Sequence, residues 1–160
     1  MEQQQALPDI IGRITGAMER NLIGPGERAE LRRLDVEHPY SPAFWKIMTA
    51  WVGSSHTPTS ETRWAIALSG FARMGPPLNK RGARLGQALA SADYSETRLL
   101  KLLRVKGPTF ADTVRRLCSF LAAKAEPVDW VELASFILTV DEQKADEARR
   151  RIARDYYATS

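Results

Sequence analysis

Apolar residues recur in this chain at three- and four-residue intervals from one end to the other, a spacing that suits helices and little else. Leu7, Ile10, Ile11, Ile14 and Met18 predict a first helix, which Gly24-Pro25-Gly26 should stop. A second is expected over 27–34. A third is expected after Ser41 as N-cap, with Pro42 in its first turn and Phe44, Ile47, Met48 and Trp51 inward, ending near Gly53. Residues 53–60 read as a loop, with Thr59 or Ser60 capping a helix that buries Trp64, Ala67, Leu68 and Phe71 and closes at Gly75-Pro76-Pro77. Further helices are expected over 85–90, 95–105, 109–124, 131–139 and 141–157, with Asp129 and Glu132 in capping-box spacing. No stretch alternates in the manner of a strand. The expected fold is all-α, a compact bundle of about eight helices in two small lobes. Residues 1–75 and 84–160 would form the lobes, and 76–83 a mobile, basic connecting loop.

The 160 residues are 44% apolar, enough for a substantial core. No apolar run reaches the length of about 18 that a membrane span requires. The opening Met1-Glu2-Gln3-Gln4-Gln5 lacks the basic and apolar regions of a secretory signal. A single cysteine, Cys118, excludes an intrachain disulfide framework, and a reducing cytoplasm is the simplest setting.

Catalytic constellations are not evident. His38 and His56 stand in separate loops without metal-ligand spacing around them, and Cys118 lies on the apolar stripe of Phe110, Val114, Leu117 and Leu121, as a structural thiol would. Phosphate-binding and nucleophile-elbow motifs are missing. Asp141, Glu142, Asp146 and Glu147 crowd the start of a helix, where carboxylates complement the dipole. Trp45, Trp51, Trp64 and Trp130 could stack bases, but core packing explains at least three of them. A non-catalytic protein without cofactor or metal is expected.

Charge is distributed unevenly. Between Pro76 and Lys124 ten basic residues face three acidic ones, a net +7, while the remainder carries 13 basic against 16 acidic. On the helix over 95–105, Arg98, Lys101 and Arg104 fall opposite the Leu99/Leu102/Leu103 stripe, each about 60° from the next. Arg115 and Arg116 point away from the stripe of the following helix, and at least one of Arg32 and Arg33 should reach solvent. Lys80, Arg81 and Arg84 supply more charge around Gly82, which would let backbone approach a phosphate. Arginine's planar fork suits bidentate phosphate contacts. These residues predict a sequence-tolerant grip on nucleic acid backbone. Arg150, Arg151 and Arg154 are equally well explained by the C-terminal dipole of their helix.

An ordered series of blocks carries a family resemblance. They are Gly26-Glu27-Arg28-Ala29-Glu30-Leu31-Arg32-Arg33, Pro42-Ala43-Phe44, Leu85-Gly86-Gln87-Ala88-Leu89-Ala90 and Glu96-Thr97-Arg98-Leu99-Leu100-Lys101-Leu102-Leu103-Arg104. Arg115-Arg116-Leu117, Asp129-Trp130 with Leu133-Ala134, and Arg151-Ile152-Ala153-Arg154-Asp155-Tyr156-Tyr157 complete it. In order and spacing the chain resembles the CasB family, the small subunit of the type I-E CRISPR Cascade surveillance complex. The resemblance implies two helical lobes and two copies side by side. It implies contacts with guide RNA, target DNA and the backbone and large subunits, and an R-loop-stabilising role without catalysis in antiviral defence. Arg32, Arg33, Arg98, Arg104, Arg115 and Arg116 carry over from matching blocks, whereas Gln87 stands where relatives can have arginine. The rival readings are a stand-alone single-stranded nucleic-acid-binding protein, which would bind tightly without guide RNA, and a structural adaptor, which would not bind DNA at all.

Overall fold

The computed structural model describes residues 2–53 and 56–159, with side chains described from Leu7 onward. Among these residues there are nine α-helices: α1 (Glu2–Glu19), α2 (Pro25–Arg32), α3 (Pro42–Ile47), α4 (Pro58–Met74), α5 (Leu85–Ser91), α6 (Glu96–Arg104), α7 (Phe110–Lys124), α8 (Trp130–Leu138) and α9 (Glu142–Thr159). No strand occurs among them; Asn79 and Val128 form one isolated parallel bridge. The all-α expectation holds. Ser54 and Ser55 of the expected 53–60 loop, and Met1 of the polar N-terminus, lie outside the described residues.

Local chemistry fixes the boundaries, sometimes differently from the sequence reading. Gly24-Pro25-Gly26 does not stop α1, which ends at Glu19 ahead of a left-handed Asn21 (φ 59°); Pro25 instead opens α2. Ser41 caps α3 as predicted, and Glu30 of α2 reaches across to accept from the Ser41 hydroxyl and, at 2.9 Å, from the Ala43 amide. Those two bonds hold the Glu30 carboxyl below its usual value. A π-helical turn over Met48–Val52 extends α3 to Gly53. Thr57, rather than Thr59 or Ser60, caps α4 by accepting from the Ser60 amide at 3.1 Å. Asp129 caps α8, but the expected capping box is incomplete: Glu132 accepts instead from the Leu85 amide at 2.7 Å, tying α8 to α5.

At the centre runs α4, buried on most of its circumference, with Trp64, Ala67, Leu68 and Phe71 inward as predicted. It packs against α2, α7 and α8, so the core is continuous across residues 76–83. Phe71 stacks on Trp130 of α8 at 4.5 Å between ring centroids. Gly70 meets α7 so closely that a Cβ there would lie 2.7 Å from Cys118 Sγ. Burial pushes the Cys118 thiol up to about 12, so it stays protonated and inert at neutral pH.

The second tight junction joins α5 to α9. A Cβ on Gly86 would fall 2.9 Å from the Tyr156 amide nitrogen and would overlap the Ile152 carbonyl oxygen, so only glycine fits. Gly86→Ala should force the two helices apart and destabilise the chain by about 1–3 kcal/mol. Urea titration checks this, with Gly26→Ala, where a Cβ meets nothing within 4 Å, as the control.

Candidate nucleic-acid interface

The α6 ridge is set by what fixes the helix. Ser95 caps it by accepting from the Arg98 amide at 3.2 Å, and Leu99 and Leu102 are fully buried. From α9, the Tyr156 hydroxyl donates to the Tyr94 carbonyl and the Tyr157 hydroxyl to Glu96 at 2.9 Å. With the inner face so held, Arg98, Lys101 and Arg104 stand exposed on the outer one. None of the three forms an ion pair among the described residues.

This ridge meets α7 at an aromatic ring. Phe120, half-buried, packs edge-on to Tyr94, and its centroid lies 5.6 Å from the Arg98 guanidinium and 5.8 Å from Lys124 Nζ. Arg116, Phe120 and Lys124 are spaced four apart, so each is rotated about 40° from the last and they share one side of α7. Arg98 and Lys124 thus meet at Phe120, with Lys101 and Arg104 continuing along α6 and Arg116 along α7. Phe120 and Lys124 were not in the sequence-derived set; their i, i+4 spacing from Arg116 was the available signal.

Arg115 and Arg116 are exposed as expected but not unopposed. Both pair with Asp112, Arg116 at 2.9 Å. The hydrogen bond from Arg115 and the charges of both arginines hold the Asp112 carboxyl below its usual range. Arg32 and Arg115 converge with a residue the sequence reading missed, Arg73. Arg73 donates to the Arg32 carbonyl at 2.8 Å, and Arg32 reaches the Ala72 carbonyl at 3.4 Å. Burial, then the charge of Arg115, lowers the pKa of the Arg73 guanidinium. Arg73 sits in the last turn of a helix otherwise read for its core stripe, which hid it. Arg33 departs from this group, sharing the surroundings of Glu30 with Lys46.

The 76–83 connector is pinned rather than loose. Lys80 N–H donates to the Val128 carbonyl at 2.9 Å, Asp129 N–H to the Ala83 carbonyl at 2.7 Å, and Trp130 N–H to Asn79 Oδ1 at 3.0 Å. Gly82 (φ 81°) gives its N–H to Asp129 at 3.0 Å, so that donor is not available to a phosphate. Arg84 pairs with Asp155 at 2.8 Å and serves the α5–α9 junction. Lys80 is exposed. Arg81 lines an open groove of about 580 Å³ with Arg13 and Arg20 of α1. Gly12 and Gly16 leave the helix surface low there, and Asp9 offsets Arg13 at 3.0 Å. The sequence reading did not reach Arg13 and Arg20, because they lie in the part of the chain where acidic residues outnumber basic ones.

Three cationic groups therefore emerge: the α6–α7 face, the Arg32/Arg73/Arg115 cluster and the α1 groove. Elsewhere, His56 Nδ1 lies 2.9 Å from Ser60 Oγ, and no group of three His, Cys, Asp or Glu residues among those described could hold a metal. No helix of the described residues is long and apolar enough to cross a membrane.

Comparison with known proteins bears on this architecture. The family model of CRISPR-associated protein Cse2 matches residues 27–157. The fold is similar to the crystal structure of CasB from Thermus thermophilus (TM-score 0.70, 20% identity, covering 92% of this chain and 97% of that one). It is also similar to that of a Cse2-family CRISPR-associated protein from the same organism (0.71, 17%, 92% and 97%) and of CasB from Thermobifida fusca (0.65, 18%, 97% and 95%). No curated protein matches the sequence.

The Asp112 pairing yields a measurable consequence. Asp112→Asn should release Arg115 and Arg116 and tighten binding of an oligothymidylate. The slope of log K against log salt should steepen by about 0.7 for each additional phosphate contact. An unchanged slope in a fluorescence titration across salt would place both arginines outside the interface.

Proposed function

The chain belongs to the family of CRISPR-associated protein Cse2, and from that premise we propose that it acts in the cytoplasm as a non-catalytic small subunit of a Cascade ribonucleoprotein. In this reading it grips the backbones of guide RNA, target DNA and the displaced strand. It does so beside the backbone and large subunits and a second copy of itself. The observation that carries the reading is the α6–α7 face, where Arg98, Lys101 and Arg104 are exposed without ion pairs and Arg98 reaches the Phe120 ring that Lys124 also approaches.

The chemistry follows from that face. Arginine and lysine on an open ridge displace the counterions condensed on a phosphate chain, which gives affinity without reading bases. Phe120 offers an apolar, π-bearing surface beside Arg98 and Lys124, suited to an unpaired base of a single strand. In an RNA-guided complex the guide supplies sequence recognition, and strand exchange is nearly balanced in free energy. A protein that holds the displaced strand tips that balance by slowing re-annealing. Arg32, Arg33, Lys80, Arg81, Arg115 and Arg116 extend the contact in this reading, with Arg13, Arg20 and Arg73 added by the geometry. Arg84 contributes chiefly by holding α5 to α9.

The test is the triple reversal Arg98→Glu, Lys101→Glu, Arg104→Glu in the reconstituted ribonucleoprotein. Because the three side chains are exposed, the circular dichroism spectrum should not change. The lifetime of the R-loop should fall at least about tenfold, and its salt dependence should flatten. Unaltered lifetime and salt dependence would remove the ridge from the mechanism.

A further inference from the structure

A narrow recess of about 120 Å³ lies where α4, the α6–α7 connection, α8 and α9 come together. Two guanidiniums occupy it, Arg63 from the second turn of α4 and Arg149 from α9, both half-buried. Arg63 lies over the Phe110 ring, 4.4 Å from its centroid, and one of its five donors bonds the Ile137 carbonyl near the end of α8 at 3.1 Å. Burial, then the charge of Arg149, pushes the Arg63 guanidinium below its usual value. The carboxylates nearby are otherwise engaged: Glu142 pairs with Lys106 at 3.3 Å and Asp146 with Arg150 at 2.7 Å. No described carboxylate forms an ion pair with Arg63 or Arg149. Two like charges are thus held in one partly desolvated recess without a direct carboxylate partner, Asp146 acting on Arg149 only at a distance, an arrangement that an anion entering between them would relieve.

The remaining walls say which anion. Val105, Phe110, Phe136 and Val140 give them apolar stretches between Thr139 and the Lys106–Glu142 pair, and Val140 is 59% exposed at the surface. The recess has room for roughly four waters, about the head of one side chain. A phosphodiester flanked by sugars is bulkier than this space. A glutamate suits the space better, its methylenes against Val105 and Phe110 and its carboxylate between the arginines.

We propose that this recess is a docking pocket for an acidic side chain of a protein partner, with Arg63 and Arg149 as its carboxylate clamp. It is a protein-facing site with a chemistry different from that of the open α6–α7 face. Arg63 also neutralises the carbonyl end of α8, a structural duty that alone would account for its position. The Arg149 side chain makes no hydrogen bond or ion pair among the described residues, and it is the residue that separates the two roles.

The probe is the peptide acetyl-Val-Glu-Leu-amide, with its glutamine counterpart as control, added to the full-length chain. Binding is followed through the arginine Nε–H signals in NMR spectra, those of Arg63 and Arg149 being identified by their loss in the single variants. The glutamate peptide should shift both signals and the glutamine peptide neither, and Arg149→Gln should weaken binding at least about tenfold. Should Arg63→Gln fail to fold, Arg149→Gln still decides, since the bond to Ile137 remains. Equal response to both peptides, no response, or binding that survives Arg149→Gln would overturn the proposal. So would shifts of the same two signals on adding oligothymidylate, which would make the recess a phosphate site. Loss of oligothymidylate binding on reversing the α6 ridge is a separate readout, so the two readings can fail independently.

Discussion

Burial of α4 on nearly every side is the constraint from which the other positions follow. From Trp64 to Ala72 every residue of α4 is buried, with Trp64, Leu68 and Phe71 at no more than 4% exposure, so this stretch must be covered by other helices on all sides. Three helices, α2, α7 and α8, complete its burial. How close they come is set by small groups: Gly70 admits Cys118, and the flat contact of Phe71 with Trp130 brings α8 alongside. The two arginines of α4 emerge near its opposite ends, Arg63 in the second turn and Arg73 in the last. Each finds a second cation there, Arg149 at one end and Arg115 at the other. The central helix thereby places two of the molecule's half-buried charges.

Presentation of α6 depends on the other tight junction. With Gly86 flush against α9 and Arg84 bonded to Asp155, α9 is fixed in register with α5. The two tyrosines near its end then hold Tyr94 and Glu96, and so the start of α6. Rigidity at the inner face is what allows charge at the outer one. Arg98, Lys101 and Arg104 need no internal partner because leucines and tyrosine hydroxyls carry the attachment. Arg84, Arg115 and Arg116 differ in kind: each already has a carboxylate, so a phosphate must compete with Asp155 or Asp112 for it.

Helical periodicity made the fold legible, because an apolar stripe at three- and four-residue spacing states which face turns inward. Stripes such as Phe110/Val114/Leu117/Leu121 and Trp64/Ala67/Leu68/Phe71 are buried as read. Where the reading failed, a residue had a choice that only the tertiary structure resolves. Glu132 had the spacing of a local cap but bonds Leu85 across the molecule. Residues 76–83 looked mobile because proline, glycine and lysine suit loops, yet Val128 and Asp129, some fifty residues on, pin them. Asp112 was counted as one opposing charge in a basic segment, and helix geometry places it beside both arginines it neutralises. Phe120 and Arg73 were missed for a related reason: each belongs to a helix whose stripe was assigned, and its value comes from a neighbour on another helix.

The account rests on nucleic acid lying across the α6–α7 face. Leu100 offers a direct view, since it is 39% exposed and about 40° around α6 from Arg104. A photo-crosslinking benzoylphenylalanine at position 100, irradiated in the assembled ribonucleoprotein with target bound, should join the chain to nucleic acid. Crosslinks only to protein subunits, with nucleic acid present and bound, would contradict the account.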